Sequence, residues 1–340
     1  MPPAVFLDRP LKLRPILKQA RWGGRQLGEV LGRPIGPESD WAESWEVADC
    51  PGAKSVIAAG PHEGETLADL LRKFPRQLLG EELARAETPS AFPLLIKYLD
   101  AADVLSVQVH PNDAQAARMD PGQRGKTEAW VILDARPDSR LYCGLKSGID
   151  REQLREAIDS GTVADCLHEV PARRGDCLFI PAGTVHAIGG GILLAEVQQS
   201  SDLTFRLDDW GRLGADGQPR PLHIGQSLEC IDFARGPVNP VVPEPAAAGA
   251  PPVETLVECQ YFTIRRHVFT QPAQLPAAAS CRILLAIEGQ GTLKFGTETD
   301  PLERAAVRLI PAACGELQVV PADGSTGGLT VLEVGIPPAD

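Results

Sequence analysis

Hydrophobic and polar residues alternate in several short segments of this chain, which is the pattern of strands. Successive side chains of a strand point to opposite faces, so each alternating segment has one apolar row and one polar row. Gly and Pro signals separate the segments, which is typical of an antiparallel sandwich or barrel. The pattern predicts strands at 104–110, 126–134, 178–187 and 191–198.

Helical spacing of leucines is limited to a few short segments. Asp150 is a suitable N-cap for one of them, and Gly161 is placed to end it. Pro221 precedes another and suits a first helical turn. We therefore predict short helices at 66–74, 76–85, 151–160 and 222–233.

One change of composition divides the chain. Residues 236–252 read GPVNPVVPEPAAAGAPP. Proline stiffens the backbone and removes hydrogen-bond donors, so this stretch is predicted to be a linker that runs over the surface. It separates a first domain at 1–235 from a second domain at 253–340.

Composition narrows the classes of function. The 340 residues include 43% hydrophobic residues and 23% charged residues, which is not the composition of a disordered chain. No apolar run approaches the length of about 20 residues that a membrane span needs, and we expect no membrane partner. A net charge of −12 argues against nucleic acid as a partner. No secretory signal is visible at the start of the chain.

The eight cysteines are dispersed and form no C-x-x-C pair. Several lie in apolar runs, so they are predicted to be buried, reduced thiols. This usage favours a cytoplasmic protein over a disulfide framework or a thiolate metal site.

The first candidate for chemistry is LSVQVHPND at 105–113. By strand alternation Ser106, Gln108 and His110 share one face, opposite an apolar row. This polar row either holds a ligand or is an ordinary solvent-facing side of a sheet.

Two further segments favour the ligand-binding interpretation of this polar row. Lys126 and Glu128 share a strand face in GKTEAW, where the alternative is a surface ion pair. A Pro-Gly turn in IPAGTVH delivers His186 to the start of the next strand. Two neutral imidazoles and one carboxylate are a normal set of ligands for a divalent metal such as zinc.

A dense polar run follows at 194–212, LAEVQQSSDLTFRLDDWGR. Glu196 lies on its first strand, and Asp202, Thr204 and Arg206 share a face of the next. Arginine guanidinium groups match the geometry of phosphate, which indicates a small anionic ligand.

Five motifs in this order resemble type I mannose-6-phosphate isomerase (phosphomannose isomerase), in its shorter bacterial form. They are FPLLIKYLDA, VQVHPND, GKTEAW, IPAGTVHAIG and EVQQSSDLTFRLDDWGR, and the resemblance extends from about Trp22 to Arg212. It implies a mainly β fold class of two cupin (jelly-roll) β-sandwich domains with a few short helices. Residues 253–340 fit the family as a degenerate second cupin domain.

The resemblance also implies the roles of individual residues. One zinc ion per chain would be held by Gln108, His110, Glu128 and His186. The basic residues of the active site would be Lys97, Lys126 and Arg206, of which Lys97 and Arg206 are available for the phosphate of a small phosphorylated sugar. Ser106, Glu196 and Asp202 fall at positions that line the family's pocket.

The implied reaction interconverts an aldose and a ketose through an enediol, and it needs a group that moves a proton between C1 and C2. Lys126 is one candidate for this base, and Glu196 and Asp202 are the others. Two different functions compete with the isomerase. One is an iron-dependent cupin oxygenase. Gln108 argues against it, because an H-x-H pair would have its first histidine at this position. The other is a non-enzymatic sugar-binding cupin, which would not need the three basic residues.

A faint internal repeat supports two related domains. The segment 174–186 resembles 304–316, and both contain Ile-Pro-Ala after a strand-like run. Glu316 takes the position of His186, and the second copy has no Gln-x-His pair. We therefore predict that the second domain is a small β-sandwich without a metal.

Overall fold

A computed structural model describes residues 6–85, 90–214, 217–243, 253–323 and 327–337. Strands predominate among these residues, and the helices are short. The mainly β fold class predicted from the alternating segments is therefore confirmed.

The strands follow one another in short runs along the chain. In sequence order they are β1 Leu13–Arg14, β2 Ile16–Gly24, β3 Trp41–Val47, β4 Asp49–Cys50, β5 Ala53–Lys54, β6 Val56–Ile57, β7 Leu94–Ala101, β8 Val107–Val109, β9 Glu128–Ala135, β10 Arg140–Leu145, β11 Leu167–Pro171, β12 Cys177–Ile180, β13 His186–Ile188, β14 Ile192–Gln199, β15 Phe205–Asp208, β16 Val253–Glu258, β17 Thr263–Phe269, β18 Ala273–Leu275, β19 Arg282–Glu288, β20 Gly291–Phe295, β21 Glu298–Leu302, β22 Val307–Ile310, β23 Leu317–Pro321 and β24 Leu329–Gly335.

The described helices are α1 Gln26–Glu29, α2 Leu67–Lys73, α3 Pro75–Leu79, α4 Glu81–Arg85, α5 Asp113–Met119, α6 Arg151–Ser160 and α7 Ile224–Cys230. A 3-10 turn follows α6 at Val163–Cys166. None of the helices in the described ranges has the length and apolar character needed to cross a membrane.

Two sheets stacked face to face form the first sandwich. One has the strand order β11-β10-β13-β8-β15, and the other has the order β12-β9-β14-β7-β3-β2. Apolar side chains from both sheets meet between them, including Trp130, Leu141, Leu178 and Ile188. The pairings of β10 with β13, β9 with β12 and β14, and β8 with β15 are antiparallel, as the many short strands predicted.

The outer face of the five-stranded sheet is covered by helices. Val107 and Val109 of β8 point to this side, and they pack with Leu154 of α6 and Leu228 of α7. The apolar row of β8 is therefore buried under helices. The polar row of the same strand points to the interior of the first sandwich.

A second sandwich is built from the C-terminal strands. Its sheets have the orders β16-β17-β24-β19-β22 and β18-β23-β20-β21. Leu284 and Val331 from one sheet pack against Leu293 and Val319 from the other. The Ile-Pro-Ala repeat has a structural counterpart, because β12 and β22 both end at the isoleucine of that motif.

Contacts within the chain divide it into two compact units. One contains residues 1–16, 45–94 and 242–340, and the other contains 17–44 and 95–241. The division at 242 falls inside the proline-rich segment. Residues 236–243 of that segment are described, and Val238 and Val241 donate backbone hydrogen bonds to Cys143 and Cys177. Residues 244–252 lie outside the described residues, and the proposed domains 1–235, 236–252 and 253–340 stay a prediction.

Four predicted elements differ from the structure. The strand predicted at 104–110 is limited to β8. The segment 178–187 contains two strands, β12 and β13, because the Pro-Ala-Gly turn separates them. The segment 76–85 contains two helices, because Gly80 has a φ of 101° that an α-helix cannot contain. The helix predicted at 222–233 is limited to α7.

Candidate active site

A polar row crosses the five-stranded sheet on its inner face. His186 of β13 lies opposite Gln108 of β8, and Gln108 lies opposite Arg206 of β15. Directly opposed residues of antiparallel strands project to the same side, so these three side chains share the inner face of the five-stranded sheet. Glu128 begins β9 in the facing sheet.

His110, Glu128 and His186 converge on one point. One ligand atom of each lies within 4.8 Å of the others. The Nε2 atom of His110 is 3.5 Å from Oε2 of Glu128, and the Nε2 atom of His186 is 3.3 Å from Oε1. All three side chains are at most 2% exposed. Gln108 adjoins this group, with its side-chain amide 3.3 Å from Nε2 of His186.

Hydrogen bonds to the backbone orient both histidine rings. The Nδ1 atom of His110 lies 3.0 Å from the carbonyl oxygen of Leu203, and that of His186 lies 2.9 Å from the carbonyl oxygen of Thr184. A carbonyl can only accept, so each Nδ1 carries the proton and each Nε2 presents a lone pair to Glu128. This is the arrangement in which imidazole binds a metal.

The residues fit a divalent cation. Two Nε2 lone pairs and a carboxylate are acceptors that converge on one point, and a single divalent cation can bind all three. Burial lowers the pKa of both His110 and His186, and this keeps the imidazoles neutral, as metal ligands must be. Imidazole nitrogen and carboxylate oxygen are both ligand types that zinc accepts.

Buried lysines and glutamates continue from the histidines into the sandwich. The Nζ atom of Lys126 is 2.8 Å from Oε2 of Glu128 and 3.1 Å from Nε2 of His110. Lys97 lies 3.2 Å from Oε1 of Glu196, which is also 3.7 Å from Lys126. These charges alternate in sign, so each carboxylate has a cationic neighbour. The surface ion pair considered for Lys126 and Glu128 is wrong, because both side chains are buried.

The environment shifts the pKa of each carboxyl group in a different direction. Burial and the neighbouring Glu128 raise the pKa of Glu196. Burial would also raise the pKa of Glu128, but Lys126 and the two histidines lower it below its usual range. Burial alone would lower the pKa of Lys97, and the carboxylates of Glu196 and Glu43 raise it instead. Glu128 is therefore held as an anion, while Glu196 accepts a proton more readily.

Glu43 is a member of this cluster that the sequence reasoning missed. Its Oε2 atom is 3.4 Å from Nζ of Lys97. In the segment WAESWEV at 41–47, Glu43 occupies an alternating strand, which could have indicated a site residue. The predicted site residues begin only at Lys97.

Arg206 lies at the other end of the polar row. Its Nη1 donates to the carbonyl oxygen of Pro221 at 2.8 Å, and its backbone N–H donates to Nδ1 of His223 at 3.1 Å. Partial burial and the nearby Arg220 lower the pKa of the guanidinium. The Nε atom is buried and has no hydrogen-bond partner among the described residues, which leaves a donor for a bound anion.

Ser106 and Asp202 occupy different environments. Ser106 is buried, two residues before Gln108 on the segment that leads into β8, whereas Asp202 is exposed in the loop before β15. In the second sandwich, Glu316 is exposed before β23. Within the described ranges, the acidic, histidine and cysteine side chains that could hold a metal together are those of His110, Glu128 and His186.

Comparisons with known proteins agree with this geometry. Residues 11–140 match the model of the phosphomannose isomerase type I catalytic domain, and residues 253–324 match that of the mannose-6-phosphate isomerase cupin domain. The chain is 35% identical over 315 residues to the mannose-6-phosphate isomerase ManA of Bacillus subtilis (strain 168), covering 91% of this chain and 95% of ManA. It is 33% identical over 307 residues to the mannose-6-phosphate isomerase of Streptococcus mutans, covering 90% and 93%.

Among solved structures, the crystal structure of the mannose 6-phosphate isomerase from Bacillus subtilis is similar over nearly the whole chain. The TM-score is 0.85 at 29% identity, with 96% of this chain and 99% of the other covered. The matching motifs, the two cupin sandwiches and the buried His-Glu-His site lead to one assignment: the chain belongs to the type I mannose-6-phosphate isomerase family of enzymes.

Proposed function

We propose that this chain interconverts D-mannose 6-phosphate and D-fructose 6-phosphate at a zinc ion held by Gln108, His110, Glu128 and His186. The observation that carries the proposal is the convergence of two neutral, oriented imidazoles and a buried carboxylate inside the first sandwich. When bound there, zinc supplies Lewis-acid stabilisation to oxygen atoms of the open-chain sugar.

The proton has to move between C1 and C2 of the sugar through an enediol. Glu196 suits this step best, because its raised pKa favours a carboxyl group that takes up a proton and returns it. Lys97 and Lys126 lie beside it and oppose the build-up of negative charge. Lys126 and Asp202 are the other candidates for the base. Lys126 suits this role less because its Nζ forms an ion pair with Glu128 at 2.8 Å, and Asp202 suits it less because it is exposed.

Arg206 is proposed to hold the phosphate of the substrate. It shares the inner face with Gln108, and its guanidinium has a buried donor to spare. Lys97 is paired with two carboxylates, so we assign it to the sugar side of the pocket, and we propose the same side for Ser106. A cytoplasmic location is proposed as well, supported by eight cysteines that are free thiols, seven of them buried.

A coupled assay of fructose 6-phosphate formation from mannose 6-phosphate tests the function. We expect activity in the purified protein, loss of activity after treatment with a chelator, and recovery when zinc is restored. Full activity of metal-free protein would contradict the zinc site. Oxygen uptake without isomerisation would instead favour the cupin oxygenase, and sugar binding without turnover would favour a non-enzymatic cupin.

A further inference from the structure

The segment that follows β15 reaches back to the chain that enters β8. The indole Nε1 of Trp210 donates to the carbonyl oxygen of Leu105 at 2.6 Å, and Nη1 of Arg212 donates to the carbonyl oxygen of Val104. Trp210 has a φ of 58°, which is uncommon for a residue other than glycine. The turn is therefore held in this conformation by its contacts with residues 104–105.

Asp209 is the centre of this arrangement. Its Oδ1 accepts from Nη2 of Arg212 at 2.6 Å, and its Oδ2 accepts from Nε of Arg220 at 2.7 Å. The side chain is only 5% exposed, unlike that of an ordinary surface ion pair. One buried carboxylate thus joins the turn after β15 to the segment that carries Arg220.

The segment with Arg220 in turn orients Arg206. Pro221 follows Arg220 directly, and its carbonyl oxygen accepts from Nη1 of Arg206. His223 exchanges two hydrogen bonds with the backbone of Arg206, at 3.1 Å and 2.7 Å. The direction of the Arg206 guanidinium consequently depends on where the 220–223 segment is held.

The irregular pairing of β15 with β8 explains why Arg206 needs these contacts with the 220–223 segment. The register shifts between Arg206 and Asp208, so three residues of β15 span two residues of β8. Such a bulge redirects the side chains next to it and leaves them without regular support from the ladder.

We propose that Asp209 is a positioning residue for substrate binding, which fixes the Arg206 guanidinium in the phosphate-binding direction through Arg220 and the Pro221 carbonyl. The inference rests on the proposed function, which assigns the phosphate to Arg206. Asp209 touches neither the metal ligands nor, in this account, the sugar.

The first test is the steady-state kinetics of Asp209→Asn with mannose 6-phosphate. The substitution keeps the shape of the side chain and removes its charge. We expect KM to rise roughly tenfold, while kcat changes by less than about threefold and the zinc content stays at that of the unmodified chain. If this variant fails to fold, Arg220→Gln tests the same link and leaves the Asp209–Arg212 pair intact.

A double-mutant cycle distinguishes positioning from general support of the fold. If Asp209 acts through Arg206, the substitution Asp209→Asn should cost about tenfold in kcat/KM in the unmodified chain and less than about twofold in the Arg206→Ala background. Equal losses in both backgrounds would overturn the proposal. If Arg206→Ala itself kept normal kcat/KM, the assignment of the phosphate to Arg206 would fail instead.

Asp300→Asn is the matched control. Asp300 holds Arg308 by two carboxylate oxygens in the second sandwich, with Oδ1 at 2.6 Å from Nη2. The substitution Asp300→Asn therefore removes a similar arginine-bound charge, but in a strand that is not part of the β8–β15 pairing described above. We expect it to lower Tm without raising KM. A rise in KM equal to that of Asp209→Asn would show a non-specific loss of structure and would overturn the inference.

Discussion

Buried charges of alternating sign are the main feature of the site at the scale of single residues. Lys97, Glu196, Lys126 and Glu128 each have an oppositely charged neighbour within 3.7 Å. A buried ion that loses its partner is strongly destabilising, because no water replaces the lost interaction. Strand alternation predicted which residues share a face. It could not predict that the face is closed to solvent, since this depends on the second sheet.

Lys97→Met should therefore lower the free energy of unfolding by about 3–5 kcal/mol, because Glu196 and Glu43 lose their cation in a buried site. Urea unfolding at pH 7 measures the change. The double variant with Glu196→Gln should be more stable than Lys97→Met alone, since one unpaired carboxylate is removed. A single variant as stable as the unmodified chain would show that Lys97 is not buried with its partners.

The two histidines make a pH-dependent contribution to stability. Burial lowers the pKa of His110 and His186 in the folded protein, whereas an unfolded histidine titrates at about 6.5. The unfolded chain therefore binds more protons as pH falls, and the metal-free protein should lose stability below about pH 6.5. Urea midpoints at pH 7.5 and 5.5 measure the loss. The loss should be smaller in the double variant His110→Gln, His186→Gln, and an identical loss in both proteins would contradict the assignment.

At the scale of elements, both ends of α6 were predicted correctly because their signals are local. The side chain of Asp150 accepts from the backbone N–H of Gln153 at 2.8 Å, and the side-chain oxygen of Gln153 accepts from the backbone N–H of Asp150 at 3.0 Å. The helix ends at Gly161, as predicted, with a φ of 71°. The orientation of His110 and His186 was not predictable in this way, because the carbonyls of Leu203 and Thr184 come from loops with no distinctive pattern.

Two glycines test the role of backbone conformation in these elements. Neither Gly161 nor Gly225 has an atom within 4 Å of an added Cβ, but only Gly161 has a positive φ. We expect Gly161→Ala to destabilise the fold by about 1 kcal/mol, because a Cβ is strained in the left-handed region. Gly225→Ala, in α7, should stabilise it by about 0.5–1 kcal/mol. Denaturant unfolding compares them, and equal effects of the two substitutions would refute this explanation.

At the scale of the whole molecule, the sequence predicted two β-sandwiches and the membership of the family. It did not predict that residues 1–16 and 45–94 group with 242–340, because this grouping depends on contacts distant in sequence. Local alternation fixes strands and faces, whereas the choice of neighbours depends on packing across the chain. Alternation in WAESWEV places Glu43 on a strand, but it does not show that this strand brings Glu43 to Lys97.

The proposed active site separates metal binding from substrate binding, and one comparison of variants tests that separation. Zinc content and kcat/KM for mannose 6-phosphate are measured together for the unmodified chain, His110→Ala and Arg206→Ala. We expect one zinc ion per chain in the unmodified protein, and loss of both zinc and activity in His110→Ala. Arg206→Ala should keep its zinc and lose about 30- to several-thousand-fold in kcat/KM, because only a contact to the phosphate is removed. Loss of zinc from Arg206→Ala, or full zinc and activity in His110→Ala, would contradict the account.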